Sequence, residues 1–138
     1  MKLPWFSVSA FVLLLSAPAT TAETPEALAT KEAKAWLAVV DQGKYGDSWD
    51  TAAALFKSAV TRDAWSNAAA SVRGPLGKVA SRKLKSAKFA TTLPGAPDGK
   101  YVVIQFATSF ERKKAAVETI TPMQEPDGAW KVSGYFVK

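Results

Sequence analysis

The fold is decided by the stretch from residue 101 to residue 111, whose sequence is YVVIQFATSFE. Side chains of similar character recur at every second position, which is the period of an extended strand. One face of this strand carries Val102, Ile104, Phe106, Thr108 and Phe110. The other face carries Tyr101, Val103, Gln105, Ala107 and Ser109. The first face is the more apolar, so the stretch predicts a strand that is buried on at least one side.

Three further strands are predicted around this one. They span Val79–Thr92, Val117–Gln124 and Trp130–Val137. Turn-forming residues separate them at 93–99, at 112–114 and at 126–128. Pro122 lacks the N–H that a sheet ladder needs, so it predicts a sheet edge or a bulge at that position.

The residues before the strands have helical periodicity. A first helix is predicted from Pro25 to about Asp41, with Thr24 as its N-cap. A second covers 45–56 and a third begins after Thr61 and ends at Gly74-Pro75. Segregated helices and strands are typical of α+β domains. The prediction is three N-terminal helices packed on one face of a curved, four-stranded antiparallel meander sheet.

The N-terminus has the pattern of a secretory signal. Met1-Lys2 is positive, residues 4–15 are apolar, and residues 16–22 are small. We expect cleavage after Ala22, with Ala19 as the second choice, which gives a signal peptide at 1–22 and one domain at 23–138. A retained N-terminal anchor is the alternative. The predicted location is periplasmic or secreted, with no membrane span after cleavage, since no later apolar run approaches ~20 residues.

Histidine and cysteine are both absent. Catalytic triads based on histidine, cysteine nucleophiles and ordinary zinc sites are therefore excluded. Glycine-rich phosphate loops are also missing from the sequence. We therefore predict no catalytic residues, no metal and no cofactor.

The chain is basic, with a formal charge of +6 that falls to +5 when Lys2 is removed. The basic residues of the strand half are Lys78, Arg82, Lys83, Lys85, Lys88 and the run 112–114. Edge-strand lysines keep sheets soluble and prevent aggregation, and a basic surface can also face an anionic envelope component or a protein partner. Nucleic acid is not expected, because an exported protein seldom meets it.

Candidate binding residues come from polar exceptions in the pattern. Gln105 interrupts a largely apolar strand, and Tyr101 and Tyr135 could share its side with Ser109 and Ser133. These residues either bound a small polar-aromatic pocket or form the solvent face of the sheet. Arg73 and Arg82 flank the corner at 76–77, where they either form a fork for a ligand carboxylate or pair with acidic residues of the chain.

Two other groups have a functional and a structural interpretation. Asp41, Asp47 and Asp50 could form a cation site or an acid–base pair, but helix-start charge explains them as well. The tryptophans of the mature chain could line an aromatic pocket or anchor helices on the sheet. They are Trp36, Trp49, Trp65 and Trp130.

Several short segments resemble a bacterial family called domain of unknown function 4019. They include 48–50, 55–57, 61–65, 73–77, 93–101 and 130–136. The resemblance covers about 33–138 and implies an exported bacterial protein with no established activity. The order of the elements also looks like a shortened nuclear-transport-factor-2-like or cystatin-like fold, an analogy that says little about function.

Three functions are compatible with these observations. The first is a non-enzymatic accessory or binding domain of the cell envelope. The second is a small cone-fold enzyme of the ketosteroid-isomerase type, or a small-ligand binder, in which Asp47 or Asp50 is the base and Tyr101 or Tyr135 the donor. The third is an interaction module whose basic strand surface docks on an anionic polymer or lipid.

Overall fold

The computed structural model describes residues 2, 4, 12–18 and 21–138. The predicted signal peptide falls largely outside these residues, and its described part at 12–18 is exposed and has no helix or strand. Within the described residues, no helix is long and apolar enough to cross a bilayer.

In the described part of the chain, four helices precede four strands. The helices are α1 (Pro25–Asp41), α2 (Tyr45–Asp50), α3 (Ala54–Ala59) and α4 (Arg62–Leu76). The strands are β1 (Val79–Ala90), β2 (Tyr101–Phe110), β3 (Lys113–Gln124) and β4 (Trp130–Val137). The α+β class and the four-stranded sheet are confirmed, whereas the residues that the structure describes form four helices rather than three.

The sheet is an antiparallel meander in the order β1-β2-β3-β4, so β1 and β4 are its edges. The predicted apolar face of β2 is fully buried under the helices. Pro122 lies in the internal strand β3, where the register shifts between Thr121 and Pro122. The bulge, rather than a sheet edge, accommodates the missing N–H.

The predicted second helix is interrupted because its middle residues bind the sheet. The N–H of Ala53 donates to the carbonyl oxygen of Val132 at 2.8 Å, and Ala52 and Ala53 are buried. A continuous helix would use that N–H internally, so the chain forms α2 and α3 instead. In contrast, α4 continues through Gly74-Pro75 to Leu76 and ends at Gly77, whose φ is 75°.

The tryptophans anchor the helices, as their structural interpretation predicted. Trp36, Trp65 and Trp130 are buried, and Trp49 packs against the core from a half-buried position. The indole N–H of Trp36 donates to the carbonyl oxygen of Ser48 at 2.8 Å. The indole N–H of Trp65 donates to Ser48 Oγ at 2.9 Å. The fully buried Ser48 therefore joins α1, α2 and α4 in one contact.

Candidate functional site

The helix-covered face of the sheet contains a group of charged side chains, here called the charge cluster. Asp41 comes from the end of α1, Arg73 from the last turns of α4, Arg82 from β1 and Glu118 from β3. Buried apolar residues hold α1 and α4 against the core, and β1 is held by its pairing with β2. The packing of α1 and α4 on the sheet therefore brings four residues together that are far apart in the sequence.

Glu118 is the centre of the charge cluster and is 0% exposed. Its Oε1 accepts from Arg82 Nε at 2.7 Å and from Thr108 Oγ1 at 2.6 Å. Its Oε2 accepts from the Tyr135 hydroxyl at 2.5 Å and from Arg82 Nη2 at 3.2 Å. A buried carboxylate is tolerated only when it is paired and hydrogen-bonded. Each oxygen of Glu118 accepts two hydrogen bonds, so this condition is met.

The remaining contacts extend the charge cluster to the helices. Arg82 donates to Asp41 through Nη1 at 2.8 Å and Nη2 at 3.0 Å, and Arg73 Nη2 donates to Asp41 Oδ1 at 2.7 Å. Two guanidinium groups thus face two carboxylates, and the formal charges cancel. The guanidinium carbon of Arg73 lies 5.0 Å from the centre of the Phe110 ring, a cation–π contact.

The contacts of the charge cluster shift the pKa values of Asp41 and Tyr135 in opposite directions. Burial alone would raise the pKa of Asp41, but hydrogen bonds and charges from Arg82 and Arg73 outweigh it and lower the pKa. Burial, followed by the charge of Glu118 and the hydrogen bond to it, raises the pKa of Tyr135 far above its usual value. At neutral pH Asp41 is therefore ionised, and Tyr135 stays protonated and donates a hydrogen bond to Glu118.

The lowered pKa of Asp41 predicts a loss of stability in acid. A carboxyl group with a lower pKa in the folded state stabilises the fold fully above its unfolded pKa, which is near 3.8. That contribution disappears as the pH falls below this value and through the folded pKa. We expect the unfolding free energy from urea titrations to drop over this range in the wild type, and the Asp41→Asn variant to lack this component. Equal pH slopes for the two proteins would contradict the assignment.

The predicted pocket between Gln105 and Tyr135 is not formed, because the two residues lie on opposite faces. Gln105 pairs with Thr119 on the face away from the helices, whereas Tyr135 pairs with Ile120 on the buried face. Alternation within one strand does not reveal which face of the next strand it matches, since the register decides that. Tyr101 lies on the side of Gln105, with its hydroxyl donating to the Pro97 carbonyl oxygen at 2.6 Å.

The structure brings Arg73 and Arg82 together, as a fork that binds carboxylates of the chain itself. The interpretation that they pair with acidic residues is therefore confirmed by geometry. Arg82 does not belong to the basic surface, because its side chain turns inward, while Lys83, Lys85 and other basic residues of the strands are exposed.

Sequence reasoning missed Glu118 and Thr108. A signal was present: β3 reads Ala116, Glu118, Ile120 on its buried face, so the acid interrupts an otherwise apolar alternation. An acidic residue at such a position requires a buried cation, and Arg82 on the predicted edge strand was available.

The predicted acidic group at 41–50 is divided by the structure. Asp47 and Asp50 are exposed on α2, where Arg62 lies 3.7 Å from the first and 3.0 Å from the second. Asp41 belongs to the charge cluster instead. Among the described residues, no group of three or more potential ligands is placed to hold a metal ion.

The fold and the charge cluster define a small α+β domain whose core contains a charge-balanced ion-pair network. The chain belongs to the family described as "Protein of unknown function (DUF4019)", which matches residues 32–135. A search of curated proteins finds no match to the chain. The likeness to nuclear-transport-factor-2-like folds stays a prediction from the order of the elements.

Proposed function

We propose that this protein is an exported, non-enzymatic accessory or binding module of the bacterial cell envelope. The observation that carries the proposal is the saturation of Glu118, the fully buried carboxylate. Four donors occupy its two oxygens, and one of them is a tyrosine that keeps its proton at neutral pH. A general base needs a free lone pair aimed at substrate, so this arrangement supports a structural role for the acid.

The N-terminal segment supports the export part of the proposal. Its charge, apolar stretch and small residues follow the pattern of a signal peptide. The four apolar residues 12–15 are exposed and take no part in the hydrophobic core of the domain. Their removal would therefore cost the folded domain little burial of apolar surface.

One contact favours a second candidate, a small enzyme that works through an acid and a tyrosine. Tyr135 and Glu118 form such a pair inside the domain, at 2.5 Å. The acids expected for this role, Asp47 and Asp50, instead face Arg62 at the surface. Turnover that is lost in Glu118→Gln, with the fold retained by circular dichroism, would establish the enzyme and refute the non-enzymatic role.

Export is tested by expressing the full chain in a bacterium and measuring the intact mass of the protein in each cell fraction. We expect a mature protein that begins at Glu23, found in the periplasm or medium. Leu14→Arg places a charge in the apolar stretch and should retain the precursor in the cytoplasm, whereas Leu14→Val should not. Full-length wild-type protein confined to the cytoplasm would contradict export.

A further inference from the structure

Part of the edge strand β4 has outward backbone groups that bond no other described residue. Val117 and Lys138 exchange two backbone hydrogen bonds, at 2.9 and 3.0 Å, which fixes the alternation of the β3–β4 ladder. Gly134 and Phe136 then direct their N–H and C=O groups to β3, and Tyr135 and Val137 direct theirs away from the sheet. Further back, the outward carbonyl of Val132 is occupied by Ala53. The open part of the edge is therefore 133–137.

The two edges of the sheet differ in how they resist pairing with another strand. The β1 edge carries exposed Lys83, Lys85 and Lys88 and a register shift between Leu84 and Ser86, which are typical protective features. The open part of β4 has the sequence SGYFV, without any charge, and its Phe136 side chain is 52% exposed. This edge lacks the protection that its counterpart has.

An apolar cavity of about 230 Å³ lies beside the open edge, between α4 and β4. The lining residues include Trp65, Ala69 and Val72 from α4 and Tyr135 and Val137 from β4. Val72 is 48% exposed, so the cavity reaches the surface beside an exposed apolar side chain of α4. A free strand edge next to an apolar cavity is the arrangement that proteins use to bind an extended peptide.

We propose that β4 and α4 form a docking groove for an extended peptide segment of a partner protein, which adds to the sheet as a fifth strand. The incoming backbone bonds the outward groups of Tyr135 and Val137. The peptide residues that lie opposite Tyr135 and Val137 point to the same face of the sheet as these two residues. An apolar peptide side chain at either position therefore enters the cavity. This inference rests on the proposed role as a binding module and names its class of partner.

The positive charge near the groove indicates that the peptide carries acidic residues beside the apolar residue that enters the cavity. Among the described residues that line the cavity, Arg73 is the one charged side chain. Its Nη2 is paired with Asp41, whereas its buried Nε and Nη1 bond no acceptor in the described part of the chain. The ammonium group of Lys138 lies 5.9 Å from the centre of the Phe136 ring, at the end of the open edge. The chain as a whole has a formal charge of +6. The groove therefore favours carboxylates on the partner and disfavours a second copy of this basic chain.

The test selects peptides from a displayed library of random heptapeptides on the purified domain of residues 23–138. We expect enrichment of sequences that combine acidic residues with alternating apolar ones. Val137→Pro removes an outward N–H without touching the ladder to β3 and should weaken the selected peptides about tenfold. Val137→Ala keeps that N–H and is the matched control, expected to change affinity by less. Val72→Glu should weaken binding and Val72→Lys should not.

Amide hydrogen exchange gives a readout that is independent of side chains. Saturating peptide should slow exchange at Tyr135 and Val137 about tenfold or more and leave Phe136 nearly unchanged. No enrichment, or selected peptides whose affinity is equal for Val137→Pro and Val137→Ala, would overturn the proposal. So would a dimer in sedimentation experiments that protects the same two amides without peptide. The assay uses purified domain, so a negative binding result says nothing about export. Likewise, a negative export result says nothing about peptide binding in the groove.

Discussion

Replacing Glu118 with alanine is expected to lower the free energy of unfolding by about 3–5 kcal/mol, because it leaves Arg82 partly unpaired in the core. Thr108 and Tyr135 would lose their acceptor in the same change. Small domains have only about 5–15 kcal/mol of stability in total, so the variant should be close to unfolding at physiological temperature. Guanidinium denaturation followed by tryptophan fluorescence measures the loss.

Two controls separate the buried charge from a general effect of removing a carboxylate. Asp98→Asn changes an exposed acid and should alter stability by less than about 0.5 kcal/mol. The double variant Arg82→Met with Glu118→Met removes both partners and leaves Asp41 paired with Arg73. It should be more stable than Glu118→Ala, since buried ion pairs are often replaceable by apolar residues. A cost below about 1 kcal/mol for Glu118→Ala would contradict this account.

The second large effect is expected for Trp36→Ala, at about 3–5 kcal/mol of destabilisation. Trp36 is 2% exposed, and its ring centre lies 5.8 Å from that of Trp65 and 5.5 Å from that of Tyr135. Truncation leaves a cavity where α1, α4 and β4 meet, and it removes the hydrogen bond to the carbonyl oxygen of Ser48. The midpoint of thermal unfolding and the guanidinium midpoint should both fall.

Leu28→Ala is the matched control on the same helix, because Leu28 is 39% exposed whereas Trp36 is 2% exposed. It should cost less than about 1 kcal/mol, since little buried surface is lost. Trp36→Phe keeps most of the ring volume, so its loss of unfolding free energy should lie between those of Trp36→Ala and Leu28→Ala. If Trp36→Ala and Leu28→Ala were equally stable, the anchoring role assigned to Trp36 would be wrong.

The candidate site was harder to predict than the fold. Arg73 and Arg82 were identified from their positions at a corner, and the pairing interpretation is confirmed. Glu118 was not identified, because an isolated acid in a strand is usually on the solvent side. Gln105 and Tyr135 were placed together wrongly, since strand alternation leaves open which faces of neighbouring strands coincide.

Local chemistry in the chain was enough to predict most of the elements but not all of their limits, since β3 already begins at Lys113, within the predicted turn at 112–114. The two-residue period of 101–111, the caps at Thr24 and Thr61 and the turns around 126–128 are properties of neighbouring residues, and the structure confirms them. The absence of histidine and cysteine likewise excluded whole classes of chemistry before any fold was considered.

Other features came from contacts between distant segments, which no local pattern encodes. The break between α2 and α3 depends on the bond from Ala53 to Val132, and the charge cluster depends on the register of β1, β2 and β3. The open edge of β4 depends on the strand order and on where α3 begins, because its N-cap Ala53 bonds Val132. Burial changes the energy of a charge or a backbone group by several kcal/mol, and burial is a property of the assembled fold.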